Sequence, residues 1–107
     1  MQSPEIFKNV DAKALANVFF QGKVVSHSIT DANGVRRSLG VCQSGSYTFT
    51  TGDPEIMEII AGSVRAKVDG EDEWGTYGPG QSFSIPANTS FEMVVEEGLA
   101  QYVCIFG

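Results

Sequence analysis

The stretch GSYTFTTGDPEIMEIIAG, residues 45–62, decides the fold. In its first half Tyr47 and Phe49 alternate with Thr48 and Thr50, so the two pairs occupy opposite faces of a strand, where side chains change face at every residue. Gly52-Asp53-Pro54 interrupts the run as a turn. The segment EIMEIIAG then sets Glu55, Met57 and Ile59 on one face and Ile56, Glu58 and Ile60 on the other. Each face carries a carboxylate, and one that points into a core needs a partner or a raised pKa.

The same cadence runs outward in both directions. Glycine or Asx punctuation recurs at Gly22, Asn33-Gly34, Ser44-Gly45, Gly62, Asp69-Gly70, Gly78-Pro79-Gly80 and Gly98, between short segments rich in Val, Ile, Phe and Thr. It predicts strands at 23–30, 36–43, 46–51, 55–61, 63–69, 73–77, 82–85, 90–95 and 99–106, an all-β sandwich or barrel. Near the N-terminus Asp11 could cap a helix over AKALANVFF, although Val18, Phe19 and Phe20 would equally suit an edge strand.

With 107 residues, 42% hydrophobic and 19% charged, the chain suits one compact domain with its own core. The net charge of −6 argues against a nucleic-acid partner, whose phosphates demand clustered Lys and Arg. No apolar run approaches the roughly 18 to 20 residues of a membrane span, and the N-terminus lacks a signal-sequence pattern, so the expectation is a cytoplasmic protein without a membrane partner. Cys42 and Cys104 stand in apolar runs without CxxC spacing and read as buried thiols.

The 45–62 stretch resembles the first cupin motif, in which a His-x-His pair precedes a Glu and then a Gly. Glu55 and Gly62 keep the spacing of the last two positions, and Thr48 and Thr50 stand in place of the histidines. PGQSFSIPANTSF, residues 79–91, resembles the second cupin motif, with Phe91 in place of its histidine. A register shifted by one residue would offer Phe49 and Thr51 instead, and neither ligates a transition metal well. The resemblance implies a single cupin-type jelly-roll β-barrel over 17–107, with a short N-terminal extension over 1–16 and no metal site. NVFFQGKV, YTFTTGDPEIMEIIAG, the W-x-x-Y-x-x-G-x-x-F-x-I-P spacing from Trp74 to Pro86 and the closing YVCIF together resemble the pyrimidine/purine nucleoside phosphorylase family of small cupins. This implies phosphorolysis of purine and pyrimidine ribonucleosides to free base and ribose 1-phosphate, with inorganic phosphate as co-substrate and no cofactor.

Phosphorolysis needs an anion site below the sugar, donors or acceptors for ribose hydroxyls, and surfaces for the base. Arg36 and Arg37 open a strand, so one points in and the other out, and the resemblance favours Arg36 as the phosphate clamp. Glu55 reads as a partner of the ribose diol, as an acid toward the base, or as one half of an ion pair with Arg36. Thr48 and Thr50 would present hydroxyls to phosphate or ribose, and Tyr47, Phe49, Phe83 and Phe91 would stack on the base or fill the core. His27, the single histidine, reads as partly buried and hydrogen-bonded rather than catalytic, Arg65 and Lys67 as solvent-facing, and Gly78-Pro79-Gly80 as a tight turn. Apolar strands such as VFFQGKVV exceed what one small interior can use and predict a homodimer. A non-catalytic ligand-binding or sensor cupin, or another metal-free sugar-modifying cupin enzyme, would suit the same polar interior.

Overall fold

The computed structural model describes residues 3–107 and is built from nine antiparallel strands: β1 (Asp11–Ala12), β2 (Asn17–Phe19), β3 (Val24–Thr30), β4 (Arg36–Thr50), β5 (Glu55–Ala61), β6 (Val64–Val68), β7 (Gly75–Tyr77), β8 (Ser82–Ile85) and β9 (Ser90–Phe106). β4 and β9 are long and pair with each other along nearly their whole length. Their first-paired halves sit in a sheet of order β3-β4-β9-β5-β8, with β1 and β2 both on the outer edge of β3. Their other halves form a second layer with β6 and β7. Each pair of segments expected at 36–43 and 46–51, and at 90–95 and 99–106, is thus one bent strand.

The bend lies where the β4–β9 register shifts, between Gln43 and Gly45. Gly98 takes a left-handed φ of 66° there, which favours a residue without a Cβ. Across the bend the faces change parity. On β4 the inward residues are Ser38, Gly40 and Cys42 before it and Tyr47 and Phe49 after it; on β9 they are Phe91, Met93 and Val95, then Ala100, Tyr102 and Cys104. A one-residue slip of this kind turns every following side chain to the other face.

The core between the layers is built on Val24, Cys42, Ile59, Val64, Ile85, Met93 and Val95, all at most 2% exposed. The segment before β2 carries no helix; of the two readings of AKALANVFF, the edge strand holds, because pairing with β3 satisfies its backbone while a lone helix there would lack a packed face. This segment crosses the outer face of the first sheet. The backbone N–H and hydroxyl of Ser3 donate to the two oxygens of Glu58 at 2.7 and 2.9 Å, and Phe7 lies 5.4 Å beneath the Arg37 guanidinium. Glu58, the carboxylate on the outer face of β5, is therefore buried with its acceptors filled.

Turn chemistry at the two loops that frame the open end is equally local. Thr51 is buried, donates to the carbonyl of Pro86 at 2.6 Å and accepts from the N–H of Thr89 at 3.0 Å, tying the 51–54 turn to the 86–89 turn. Gln81 N–H closes the Gly78-Pro79-Gly80 turn on the Gly78 carbonyl, as its sequence predicts.

Candidate active site

The inward residues of the first sheet fall into cross-strand rows. Deepest, Asn17, Ser26, Gly40 and Tyr102 stand side by side; next come Ser28, Ser38, Cys104 and Met57; at the open end Glu55 pairs with Phe106, and Arg36 continues the row on β4. Phe19, two residues on from Asn17 along β2, flanks them within the sheet, and Phe49 and Phe91 face them from beyond the bend. Together they enclose a cavity of about 300 Å³, within the range of small-ligand sites.

One wall is polar and shaped by small residues. The Asn17 carboxamide donates to the hydroxyls of Ser28 at 3.0 Å and Ser26 at 3.3 Å, which leaves its carbonyl oxygen free to accept. Tyr102 lies flat against Gly40, where any side chain would overlap its ring. The opposite wall is aromatic: Phe49 stacks with Phe91 at 5.6 Å between centroids and meets the edges of Phe19 and Phe20 at 5.9 and 5.3 Å.

The mouth holds the charges. Glu55 is half-buried and accepts a hydrogen bond from the Cys104 thiol, Sγ to Oε1 3.3 Å. Burial pushes its carboxyl above the usual range; the Cys104 hydrogen bond opposes this, and Asp53 nearby adds to it. Arg36 lies over Phe106, 5.8 Å from the ring centroid, and its guanidinium donates to Asp53 at 2.8 Å with both side chains largely exposed. Burial also pushes the thiol of Cys104 well up, and Cys42, deeper in the core, up to about 11, so both stay protonated near neutrality.

Several residues singled out from the sequence meet here and others do not. Glu55, Phe49 and Phe91 line the cavity; Arg36 is not among the lining residues and lies exposed over Phe106 at the mouth, at a position of β4 in phase with the inward Ser38 and Gly40. The ion pair between Arg36 and Glu55 does not form; Asp53 and Cys104 take the two partners instead. Thr48 is exposed on the outer face, because the parity change at the bend turns the odd residues of this half of β4 inward. Thr50 reaches only the rim, its hydroxyl 2.8 Å from that of Ser90. The shifted register therefore holds: Phe49 and Thr51 point in.

Tyr47 is core rather than cavity. Its hydroxyl donates to the Gln43 and Ser44 carbonyls at 2.8 and 3.2 Å, its ring covers Gly45, and Phe20 packs on it. Phe83 is buried between Tyr77 and Phe91. His27 is exposed rather than partly buried, since it lies on the outer face of β3, where Nδ1–H donates to the Lys13 carbonyl at 3.2 Å. Arg37 is no idle surface residue either: it pairs with Asp31 at 2.9 Å on the outer face. Asn17, Ser26, Ser28, Ser38, Tyr102, Cys104 and Phe106 complete the cavity and were not singled out as site residues. The signal for the serines was present in VVSHSIT, where Ser26 and Ser28 share a face with the buried Val24.

Residues 14–106 match the family described as pyrimidine/purine nucleoside phosphorylase. A Cupriavidus metallidurans protein of that name is 52% identical over 101 residues, covering 94% of this chain and 97% of the relative. One from Aromatoleum aromaticum is 49% identical over the full length of both. Among solved structures, a protein of unknown function from Acinetobacter sp. ADP1 superposes with a TM-score of 0.90 at 35% identity, covering 95% of this chain and 98% of the other. The Clostridium difficile EutQ protein, 15% identical with a TM-score of 0.64 over 78% of this chain and 66% of its own, shares the fold alone.

The raised Glu55 carboxyl predicts a pH dependence of stability. A folded-state pKa above the unfolded one means the native protein binds more protons in the interval between them, so stability falls as pH rises through it. Glu55→Gln removes that cost. Its melting temperature should match wild type at about pH 3, where the carboxyl is protonated in both states, and exceed it at about pH 7. Thermal melts with a constant difference across that range would contradict a buried, destabilised carboxylate.

Proposed function

The chain belongs to the pyrimidine/purine nucleoside phosphorylase family, and from that membership and the row Arg36–Phe106–Glu55 we propose that the cavity is where it cleaves nucleosides. The enzyme is a pentosyltransferase. A phosphate oxygen forms a bond to C1′ of the ribose as the N-glycosidic bond breaks; the bonding pair leaves with the base, which takes up a proton, and ribose 1-phosphate remains.

The transition state of such a displacement gathers positive charge on the sugar while the nucleophile is an anion, so placement and electrostatics can supply most of the rate. Arg36 offers a planar fork to two phosphate oxygens at the cavity mouth. Its present partner, Asp53, is an exposed carboxylate whose pairing is weak, so incoming phosphate displaces it at small cost. Glu55 stands two strands away, a backbone separation of about 10 Å, with Phe106 as the floor between them. That gap holds a ribose, whose hydroxyls donate to the Glu55 carboxylate and whose developing charge that carboxylate stabilises. Base tolerance follows from the aromatic wall, since Phe19, Phe49 and Phe91 offer contact to any planar base and read none of its edges.

The observation that carries this reading is Arg36 at the mouth, in one row with the half-buried Glu55 and with Phe106 between them. Purified protein should release base from uridine and adenosine only when inorganic phosphate is present. Arg36→Ala should raise the phosphate KM and cost about 2–4 kcal/mol in kcat/KM for phosphate. Asp53→Asn should lower the phosphate KM, because it removes the competing anion. Arg65→Ala, on the outer face beside Trp74, is the neutral control. A phosphate titration in which Arg36→Ala equals wild type would move the anion site elsewhere.

The side chains around the cavity support metal independence, for Glu55 and the protonated Cys104 are too few for a tight transition-metal site. Activity should survive excess chelator, and loss of activity with release of one metal per chain would refute this. Val18 and Val41, exposed on the outer face where Val25 joins them in register, and exposed Leu99 one row beyond, support a homodimer. Light scattering should report twice the 11.5 kDa chain mass; a mass of one chain at micromolar concentration would contradict the dimer.

A further inference from the structure

We propose that Cys104 is a positioning residue for Glu55, its thiol holding the carboxylate in the orientation that meets the ribose. The inference rests on the reading of Glu55 as the ribose partner. Phe106 is the cross-strand partner of Glu55, and Cys104 sits two residues before it on the same face of β9, so its side chain reaches the carboxylate diagonally. The Sγ–Oε1 distance is 3.3 Å, and among the described residues no other protein group hydrogen-bonds this side chain.

The surroundings leave the thiol with that task. Arg36, which shares the row, is turned to Asp53 and does not hold Glu55. Asp53, from the preceding turn, repels the carboxylate, and the strand on the far side, β8, sets Ile85 and Ser84 opposite Glu55 and Ile56, so it brings no titratable group. On β9 the buried Tyr102 lies deeper in the cavity. Ser38 stands opposite Cys104 in the β4–β9 register and is uncharged, so it brings no competing charge to the thiol. Because Cys104 is buried and strongly disfavoured as a thiolate, it remains an S–H donor throughout the working pH range. A half-buried carboxylate with one such donor has one oxygen fixed and the other free to accept from substrate.

The test compares Cys104→Ala, Cys104→Ser and Glu55→Gln in phosphate-dependent cleavage of uridine, each with a pH profile of kcat/KM and a thermal melt. Glu55→Gln should abolish the acid limb of the profile, which assigns that limb to Glu55. Cys104→Ala should lose about 3- to 10-fold in kcat/KM, the scale of one ordinary hydrogen bond, because a thiol is a weak donor even to a carboxylate. Its acid limb should move to higher pH, since the lost donor favoured the carboxylate. Cys104→Ser keeps a donor and should restore both rate and limb. A merely structural cysteine would lower the melting temperature without moving the limb. Should the alanine variant be unstable, Cys104→Val refills the volume without a donor and gives the same reading. An unshifted limb and wild-type rate in the donor-free variants, beside an impaired Glu55→Gln, would overturn this proposal alone. A fully active Glu55→Gln would overturn the ribose reading and this proposal with it.

Discussion

The site depends on one backbone constraint, the parity change where β4 and β9 bend from one sheet into the other. Pleating allows only alternate residues to face the interior. Before the bend the inward positions of β4 are even, from Arg36 to Cys42; beyond it they are odd, Tyr47 and Phe49, and Thr51 just past the strand end keeps that parity. β9 changes in the same place, so Phe91 faces Phe49 in one half while Tyr102 and Cys104 face Gly40 and Ser38 in the other. Without that switch two threonines would face the cavity in place of Phe49, and the aromatic wall would be lost.

The switch lets one small barrel hold two kinds of wall. The half built on β2, β3, β4 and β9 presents short hydroxyl side chains, an amide and a phenol, which leaves room for a polar ligand and supplies acceptors and donors around it. The half reached through the bend presents large rings packed edge to face and stacked. Charges are confined to the mouth, where Arg36 stays solvated and Glu55 only half leaves water. A fully buried carboxylate in this place would cost several kcal/mol more than a half-buried one and would require a paired cation. The N-terminal segment serves the same arrangement from outside, filling the acceptors of Glu58 so that β5 can carry an acid on each face.

Much of this was legible in the residues. Glycine and Asx punctuation located the strands, and the inward placing of Glu55, Met57 and Ile59 follows from alternation along one unbroken segment. The inward choice between Arg36 and Arg37 was also readable, though only through the family resemblance. The facing of Thr48 and Thr50 was not, because it depends on the parity beyond a bend whose register shift is set by pairing with a partner strand some 50 residues away in sequence. Tyr47 was misread for a related reason: a tyrosine whose hydroxyl caps carbonyls at a bend has the same local sequence as one that stacks on a ligand. The serine wall was missed because serine on a strand carries little signal by itself; its meaning comes from sharing a face with Val24 and from the Asn17 amide on the neighbouring strand.

The most direct test of the account is a crystal structure of the protein with ribose 1-phosphate, which carries both the phosphate and the ribose that the site is argued to recognise. The account predicts the phosphate on the Arg36 guanidinium with Asp53 displaced, the ribose hydroxyls on Glu55 over Phe106, and the vacated base position against Phe49 and Phe91. Ribose 1-phosphate bound anywhere outside this cavity, with Arg36 still paired to Asp53, would contradict it.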